Sequence, residues 1–200
     1  MPVVIIDRDF AWATPLTLRR ETTDLILHHE AGVGSVEDVH RYHLSLGWAG
    51  IAYHYYVRRD GSVYRGRPEN TVGGHTRNYN KCSIGICFEG NFEQEQMSDA
   101  QKAAGLALVA DIKIRYPGII VGGHKEYNAT VCPGQNFPLQ EMKEVRALDN
   151  TPDSYAVAAV EWAKDKGILK GDDRGDLKLH ENVTRQDMLV LLHRAMEGNS

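Results

Sequence analysis

Nine histidines are spread over the 200 residues. Four of them, His28, His54, His75 and His124, stand where an apolar run ends or beside a glycine-rich turn, the places where a scaffold displays functional groups. Cys132 sits in a loop just before Pro133-Gly134. Two imidazoles and one thiolate form a donor set that suits zinc, and three protein ligands leave a fourth position for a water that the ion activates. His28, His124 and Cys132 are the candidates for such a site. His28 lies far from the other two along the chain, and a strand histidine also serves as a packed structural residue, so spacing alone leaves both readings open. His28 and His29 are neighbours and must point to opposite faces of a strand. One is a ligand candidate, and the other packs or hydrogen-bonds behind the sheet. His40 and His43, at i and i+3 of a helix, have a spacing that a metal pair can use. No third ligand lies near them in sequence, and they read as residues on a polar or groove-facing side. Glu89, at a strand end, reads as a general base or as a structural carboxylate.

The elements that must position these groups follow from hydrophobic pattern and punctuation. Leu25-Ile26-Leu27 is a short apolar run that delivers His28 and His29 at its end, as a buried strand does. Ser35 opens a helix with Glu37 and Asp38 in its first turn, where the dipole favours acids, and Gly47 closes it. Ile51 to Arg58 is aromatic and β-branched. Asp60-Gly61 then gives a tight hairpin turn into Val63 and Tyr64. Ser83 to Glu89 is apolar enough for a central strand. Ser98 and Gln101 have capping-box spacing at the start of a helix that runs to Arg115 and stops at Tyr116-Pro117-Gly118. Ile119 to Val121 is a short strand from which Gly122-Gly123-His124 departs. Pro138 starts a further helix, LQEMKEVRAL. Strands and helices mix without strict alternation, which predicts an α/β domain with a mixed central β-sheet flanked by helices. That domain spans residues 1–149. Residues 150–154 read as a linker, and 155–200 as a small helical unit with stretches at Tyr155–Lys166 and Thr184–Met196. Thr184 and Asp187 have capping-box spacing, and the GDDRGD loop between the two stretches reads as a turn.

Composition narrows the class. The chain is 42% hydrophobic and 25% charged, with a formal net charge of -4. That is enough apolar content for a core, and the charge argues against nucleic acid as a partner. No apolar run approaches the roughly 18 residues of a membrane span. The segment MPVVIIDRDFAW lacks a basic start and breaks its apolar run at Asp7, so it is not read as a signal peptide; residence in a cytoplasm is the expectation. Three cysteines, Cys82, Cys87 and Cys132, are too few for a disulfide framework. Cys82 and Cys87 would face opposite sides of a strand, and both read as small buried thiols.

Taken in order, LILHHEA, GWAGIAYHYYVRRDGSVYRGRP, VGGHTRNYNKCSIGICFEGNF and GGHKEYNATVCPG resemble the zinc-dependent type 2 N-acetylmuramoyl-L-alanine amidases. That group includes phage lysozymes and the peptidoglycan recognition proteins. The resemblance runs from about Leu25 to Leu148. It implies Zn2+ held by His28, His124 and Cys132, with Tyr53 as catalytic tyrosine. Thr130 stands two residues before the cysteine, where the phage enzymes carry lysine and active recognition proteins often carry threonine; a hydroxyl supplies no positive charge there. The loop with His75, Thr76, Arg77 and Asn80 matches one that lines the cleft, which makes His75, Asn80 and Arg77 substrate-binding candidates. Ala52 replaces the usual glycine before Tyr53. The implied reaction is hydrolysis of the amide between N-acetylmuramic acid and the L-alanine of peptidoglycan stem peptides. The implied role is that of a phage or prophage endolysin waiting in the host cytoplasm until released to the wall. A bacterial autolysin or recycling amidase is the alternative. A non-catalytic peptidoglycan receptor is a weaker one, because Cys132 and Tyr53 are both present.

The C-terminal AVEWAKDKGILKGDDRGDLKLHENVTRQDMLVLLHRA resembles a single S-layer homology repeat, with Arg185 in its TR motif. The resemblance implies wall targeting through secondary cell-wall polysaccharide. Because such repeats usually act in threes, a lone one also implies association between chains as a second way to work.

Overall fold

The computed structural model describes residues 3–145, 150, 152–171 and 175–197. The chain divides into two compact units, Met1–Arg146 and Ala147–Ser200. The first is built on one six-stranded mixed sheet: β1 (Ile5–Ile6), β2 (Asp24–His29), β3 (Tyr55–Val57), β4 (Val63–Arg65), β5 (Ser83–Phe88) and β6 (Ile120–Gly123), in the order β1-β4-β3-β5-β2-β6. Strands β3, β5, β2 and β6 are mutually parallel, and β4 turns antiparallel to β3. The central strands are buried on both faces along their whole length, which is why DLILHH and SIGICF read as near-continuous runs rather than alternating ones.

Parallel register places Leu25, Leu27 and His29 beside Ile84, Ile86 and Phe88, and Asp24, Ile26 and His28 beside Ser83, Gly85 and Cys87. The first set faces the larger core, filled by Leu108, Val109 and Ile112 of α2 (Asp99–Arg115) and Met142 of α3 (Leu139–Glu144). On the other face Cys87 joins Tyr56, Ile51 and the Val36 and Val39 side chains of α1 (Val36–Ser45). Helices thus cover both faces, as the sequence predicts for this class.

Local chemistry accounts for the element ends. Ser35 Oγ accepts from the Asp38 amide at 3.1 Å and Asp38 Oδ2 accepts from the Ser35 amide at 2.9 Å, a reciprocal cap on α1. The cap on α2 is only half of that motif. Ser98 Oγ accepts from the Gln101 amide at 3.1 Å, but the Gln101 side chain donates to the carbonyls of Val57 and Glu89 at 3.0 and 2.9 Å instead of returning to Ser98. Gln101 is a buried tie between α2 and the ends of β3 and β5 rather than a capping partner.

One expectation about the hairpin is corrected. The strand begins at Tyr55 and not at Ile51: the amides of Ile51 and Ala52 donate to His40 Nδ1 and His43 Nδ1, each at 3.1 Å, while the His54 backbone still bonds Gly85 and Gly66 at 2.9 Å each. The turn is tight, as expected: Val57 pairs with Val63, and Arg58 N–H closes on the Ser62 carbonyl at 2.9 Å. Glu89 sets this spacing by accepting from the Arg58 guanidinium at 2.9 Å and from the Arg59 amide at 3.1 Å. Gly61 takes the left-handed conformation, φ +86°, that the turn requires.

The C-terminal unit contains α4 (Val157–Asp165) and α5 (Arg185–Glu197). Thr184 and Asp187 cap α5 in both directions, at 3.1 and 3.2 Å. Arg194 donates to the Ile168 carbonyl at 3.2 Å. Residues 172–174 of the GDDRGD loop, the domain boundary at 149, and the end of the LQEMKEVRAL stretch lie outside the described residues. Among the described residues, no helix is long and apolar enough to cross a membrane.

Candidate metal centre

His28 is the penultimate residue of β2, and His124 opens a 3-10 turn (His124–Glu126) directly after β6. Parallel neighbours therefore deliver two imidazoles to the carboxyl edge of the sheet, where open α/β sheets place their ligands. The loop that follows brings in Cys132, whose Sγ lies 3.8 Å from His28 Nδ1. One donor atom from each of His28, His124 and Cys132 falls within 4.8 Å of the others. Tetrahedral zinc with such ligands spaces its donors by roughly 3.3–3.7 Å, so small side-chain adjustments close the site. The residues fit the ion in donor type and reach.

Electrostatics agree with the fit. Burial, and then the nearby His124 and His29, hold His28 well below the usual imidazole range. Burial also lowers His124. Both rings are uncharged at neutral pH, the form that binds metal. Burial pushes the Cys132 thiol up to about 11. A thiol this reluctant to ionise alone becomes a thiolate only with a cation at hand, so metal uptake here releases a proton.

Partners behind the two histidines orient them. His124 Nε2 lies 3.2 Å from Asn128 Oδ1. The Asn128 amide nitrogen donates to the carbonyls of Tyr127 and Arg77 at 2.7 and 3.4 Å, which turns its oxygen toward His124. His28 Nε2 lies 3.0 Å from His75 Nδ1. His29, on the opposite face, takes the Phe92 amide at 3.3 Å through Nδ1, the hydrogen-bonding role behind the sheet that alternation predicts.

Tyr53 closes the site from the loop before β3, its ring 5.2 Å from that of His28 and 5.7 Å from that of His43. Burial, followed by the Cys87 and Cys132 sulfurs, holds its phenol well above the ordinary range. It is a hydroxyl donor and not a phenolate. Beside it opens a cleft of about 390 Å3 lined by Glu30, Asp38, Val39, Tyr42, His43 and Tyr53.

Residues 19–135 match the N-acetylmuramoyl-L-alanine amidase family, Amidase_2. The chain belongs to this family. It is 36% identical to peptidoglycan-recognition protein SC2 of Drosophila melanogaster, in an alignment that covers 62% of this chain and 73% of that one. To the endolysin of Klebsiella phage KP32 it is 30% identical, over 66% of this chain and 92% of the phage protein. The solved structure of the endolysin N-acetylmuramoyl-L-alanine amidase LysCS from Clostridium intestinale URNW superposes with a TM-score of 0.69 at 36% identity, covering 72% of this chain and 95% of that one.

The other residues named from the sequence lie at the rim of this cluster, behind it or away from it. Thr130 is exposed at the rim and accepts from the Cys132 amide at 3.3 Å. Arg77 is exposed, and its carbonyl is tied to Asn128. His75, expected at the cleft, is buried beneath His28. Asn80, also expected there, spends its side-chain oxygen inside the loop, on the amides of His75 and Thr76 at 2.7 and 2.8 Å. His40 and His43 are buried, and His43 faces the groove as expected, lining the cleft beside Tyr53. His40 spans the Ile51 amide and the Ala11 carbonyl, and His43 takes the Ala52 amide, so neither forms a metal pair. Glu89 is the structural carboxylate of the Arg58 pair. All three cysteines are free; Cys87 is buried, but Cys82 is half-exposed, because it sits in the turn ahead of β5. Sequence reasoning missed Asn128. Its position four residues after His124, on the same turn, was the available signal.

Proposed function

We propose that this chain is a zinc hydrolase that cleaves the amide between the lactyl group of N-acetylmuramic acid and the L-alanine of peptidoglycan stem peptides, as a phage endolysin. The reading is carried by the His28–His124–Cys132 cluster with its donors within 4.8 Å, next to an open cleft in a fold shared with amidases of that bond. Zinc held there supplies Lewis acidity toward the amide carbonyl and makes water nucleophilic near neutral pH. The chain's own groups do the rest. His28 and His124 supply uncharged nitrogen. Cys132 supplies a thiolate whose proton leaves on loading. Tyr53 keeps its proton and donates to the carbonyl oxygen as negative charge grows on it. Thr130, whose oxygen accepts from the Cys132 amide, points its hydroxyl proton toward the same developing charge. The amide C–N bond breaks, and L-alanine leaves as the amine after taking a proton from the attacking water. The cleft beside Tyr53 takes the stem peptide, and Arg77, exposed next to Asn128, is assigned to a peptide carboxylate.

The C-terminal unit is assigned to wall targeting through secondary cell-wall polysaccharide, alone or by association between chains. In this role the enzyme accumulates in the host and acts on the wall after release. Removal of residues 155–200 then lowers binding to isolated walls and leaves hydrolysis of soluble muropeptides intact.

The deciding experiment is metal analysis paired with stem-peptide release from soluble peptidoglycan. Wild-type protein carries one equivalent of zinc and releases stem peptides. Chelation stops release, and Cys132→Ser loses most of the metal. Full activity in zinc-free protein would overturn the proposal.

A further inference from the structure

His28 makes two sets of contacts. Its Nδ1 faces Cys132 Sγ at 3.8 Å, and its Nε2 faces His75 Nδ1 at 3.0 Å and Thr76 Oγ1 at 3.3 Å. An uncharged imidazole carries one proton, so whether Nδ1 is a bare donor for a metal depends on where that proton sits. Protonated at Nδ1, His28 cannot ligate from the side that faces Cys132.

The chain of contacts behind His28 settles the question from a fixed end. Ser83 Oγ lies 2.7 Å from the Tyr79 carbonyl. A carbonyl only accepts, so the Ser83 proton is committed to it. Toward His75 Nε2, at 3.4 Å, the Ser83 oxygen can then only accept, and His75 carries its proton on Nε2. Burial of the ring favours the uncharged form, which leaves His75 Nδ1 bare. The bare nitrogen accepts from His28 Nε2–H directly, or through Thr76, whose hydroxyl lies 3.0 Å from the same nitrogen. Either route puts the His28 proton on Nε2 and bares Nδ1 toward Cys132.

The fold makes room for this arrangement. A Cβ on Gly85 of β5 would stand 2.5 Å from His75 Cγ, and one on Gly73 would stand 2.5 Å from His75 Cδ2. Two glycines thus wall the slot that holds this ring, and a side chain at either would fill it. Asn80 fixes the backbone that enters the slot by accepting from the His75 and Thr76 amides.

We propose that His75 is a positioning residue, with Ser83 as its anchor, that sets the tautomer of His28 so that Nδ1 is presented as a metal ligand. The inference rests on the metal reading of the site given above, and it reassigns His75 from substrate contact to support. Supporting partners of a metal-bound histidine fix its ring and strengthen it as a ligand.

The test measures zinc affinity of the full chain by chelator competition, and the His28 tautomer by long-range nitrogen–proton correlation in metal-free protein. Wild type shows His28 protonated on Nε2. His75→Ala weakens zinc binding by about 10- to 100-fold, the usual cost of losing such a partner, and added imidazole restores part of it. Ser83→Ala, a smaller change kept in case His75→Ala does not fold, populates the Nδ1–H tautomer of His28 and weakens zinc less. A purely structural role would lower thermal stability and leave the tautomer unmoved. Zinc affinity unchanged in both variants, or His28 protonated on Nδ1 in wild type, overturns the inference. Wild type that binds no zinc overturns the metal reading instead, and the tautomer measurement then decides the relay by itself.

Discussion

The phenol of Tyr53 is flanked by the rings of His28, His43 and His75, and burial keeps its proton in place. A group in that state contributes by donating to charge that exists only in the transition state. Tyr53→Phe should therefore lower kcat by about 10²- to 10³-fold, the usual loss for one oxyanion donor, and leave KM nearly unchanged; steady-state hydrolysis of a soluble muropeptide checks this. Full kcat in the variant would remove Tyr53 from the chemistry. At this scale donor type and position made His28, His124 and Cys132 candidates beside a structural reading, and the family resemblance singled them out as ligands. His75 and Asn80 were legible only as members of a loop. Which side of that loop faces the cleft is set by a glycine, Gly85, on a strand that the sequence does not show to be adjacent. Asn128 carried only its spacing from His124 as a mark, because its amide is turned by the Arg77 carbonyl, a contact the sequence does not show.

At the level of elements, two contacts decide how α2 and the hairpin meet the sheet. Gly105 lies in the middle of α2, where alanine would normally be better by about 1 kcal/mol. Here a Cβ would stand 2.6 Å from Phe88 Cε1 and 2.9 Å from Met142 Cε, so overpacking outweighs propensity. Gly105→Ala should destabilise by about 1–3 kcal/mol, measured by urea unfolding. A gain in stability would show that the helix can move off the strand. The second contact is Glu89 with Arg58. Burial alone would raise the carboxyl, but hydrogen bonds from the Arg58 guanidinium and the Arg59 amide outweigh it, and the net shift is downward. A carboxylate lowered in the folded state stabilises fully above its unfolded value, about 4.3, and loses that contribution as pH falls through the lower folded value. The stability gap between wild type and Glu89→Gln should be full above pH 5 and shrink below pH 4, as followed by thermal melting across pH. A gap that widens in acid would contradict the sign. Sequence pattern placed both elements correctly. It overextended the strand before Tyr55 because no local signal reveals that His40 and His43 take the amides of Ile51 and Ala52.

For the whole molecule, the mixed sheet with helices on both faces was legible because Leu25-Ile26-Leu27 and Ser83–Glu89 are apolar enough for buried, central strands. Strand order was not, since it depends on long-range pairings such as β2 between β5 and β6 that carry no local mark. The parallel arrangement has a thermodynamic side. His28 and Cys132 are 104 residues apart in the chain, and nothing covalent joins them. In the proposed zinc-bound form, an ion shared between them would act as a buckle across most of the first unit, removable without cutting a covalent bond. Its affinity is then also conformational stability: zinc at about 100 times its dissociation constant adds roughly 2.7 kcal/mol to the folded state. Stripping the metal should lower the melting temperature and open the 124–132 loop to proteolysis before the sheet yields. Protein melted with and without chelator would show one curve, not two, if the buckle carried no load. For the zinc hydrolase proposed, metal scarcity would thus limit lifetime as well as turnover.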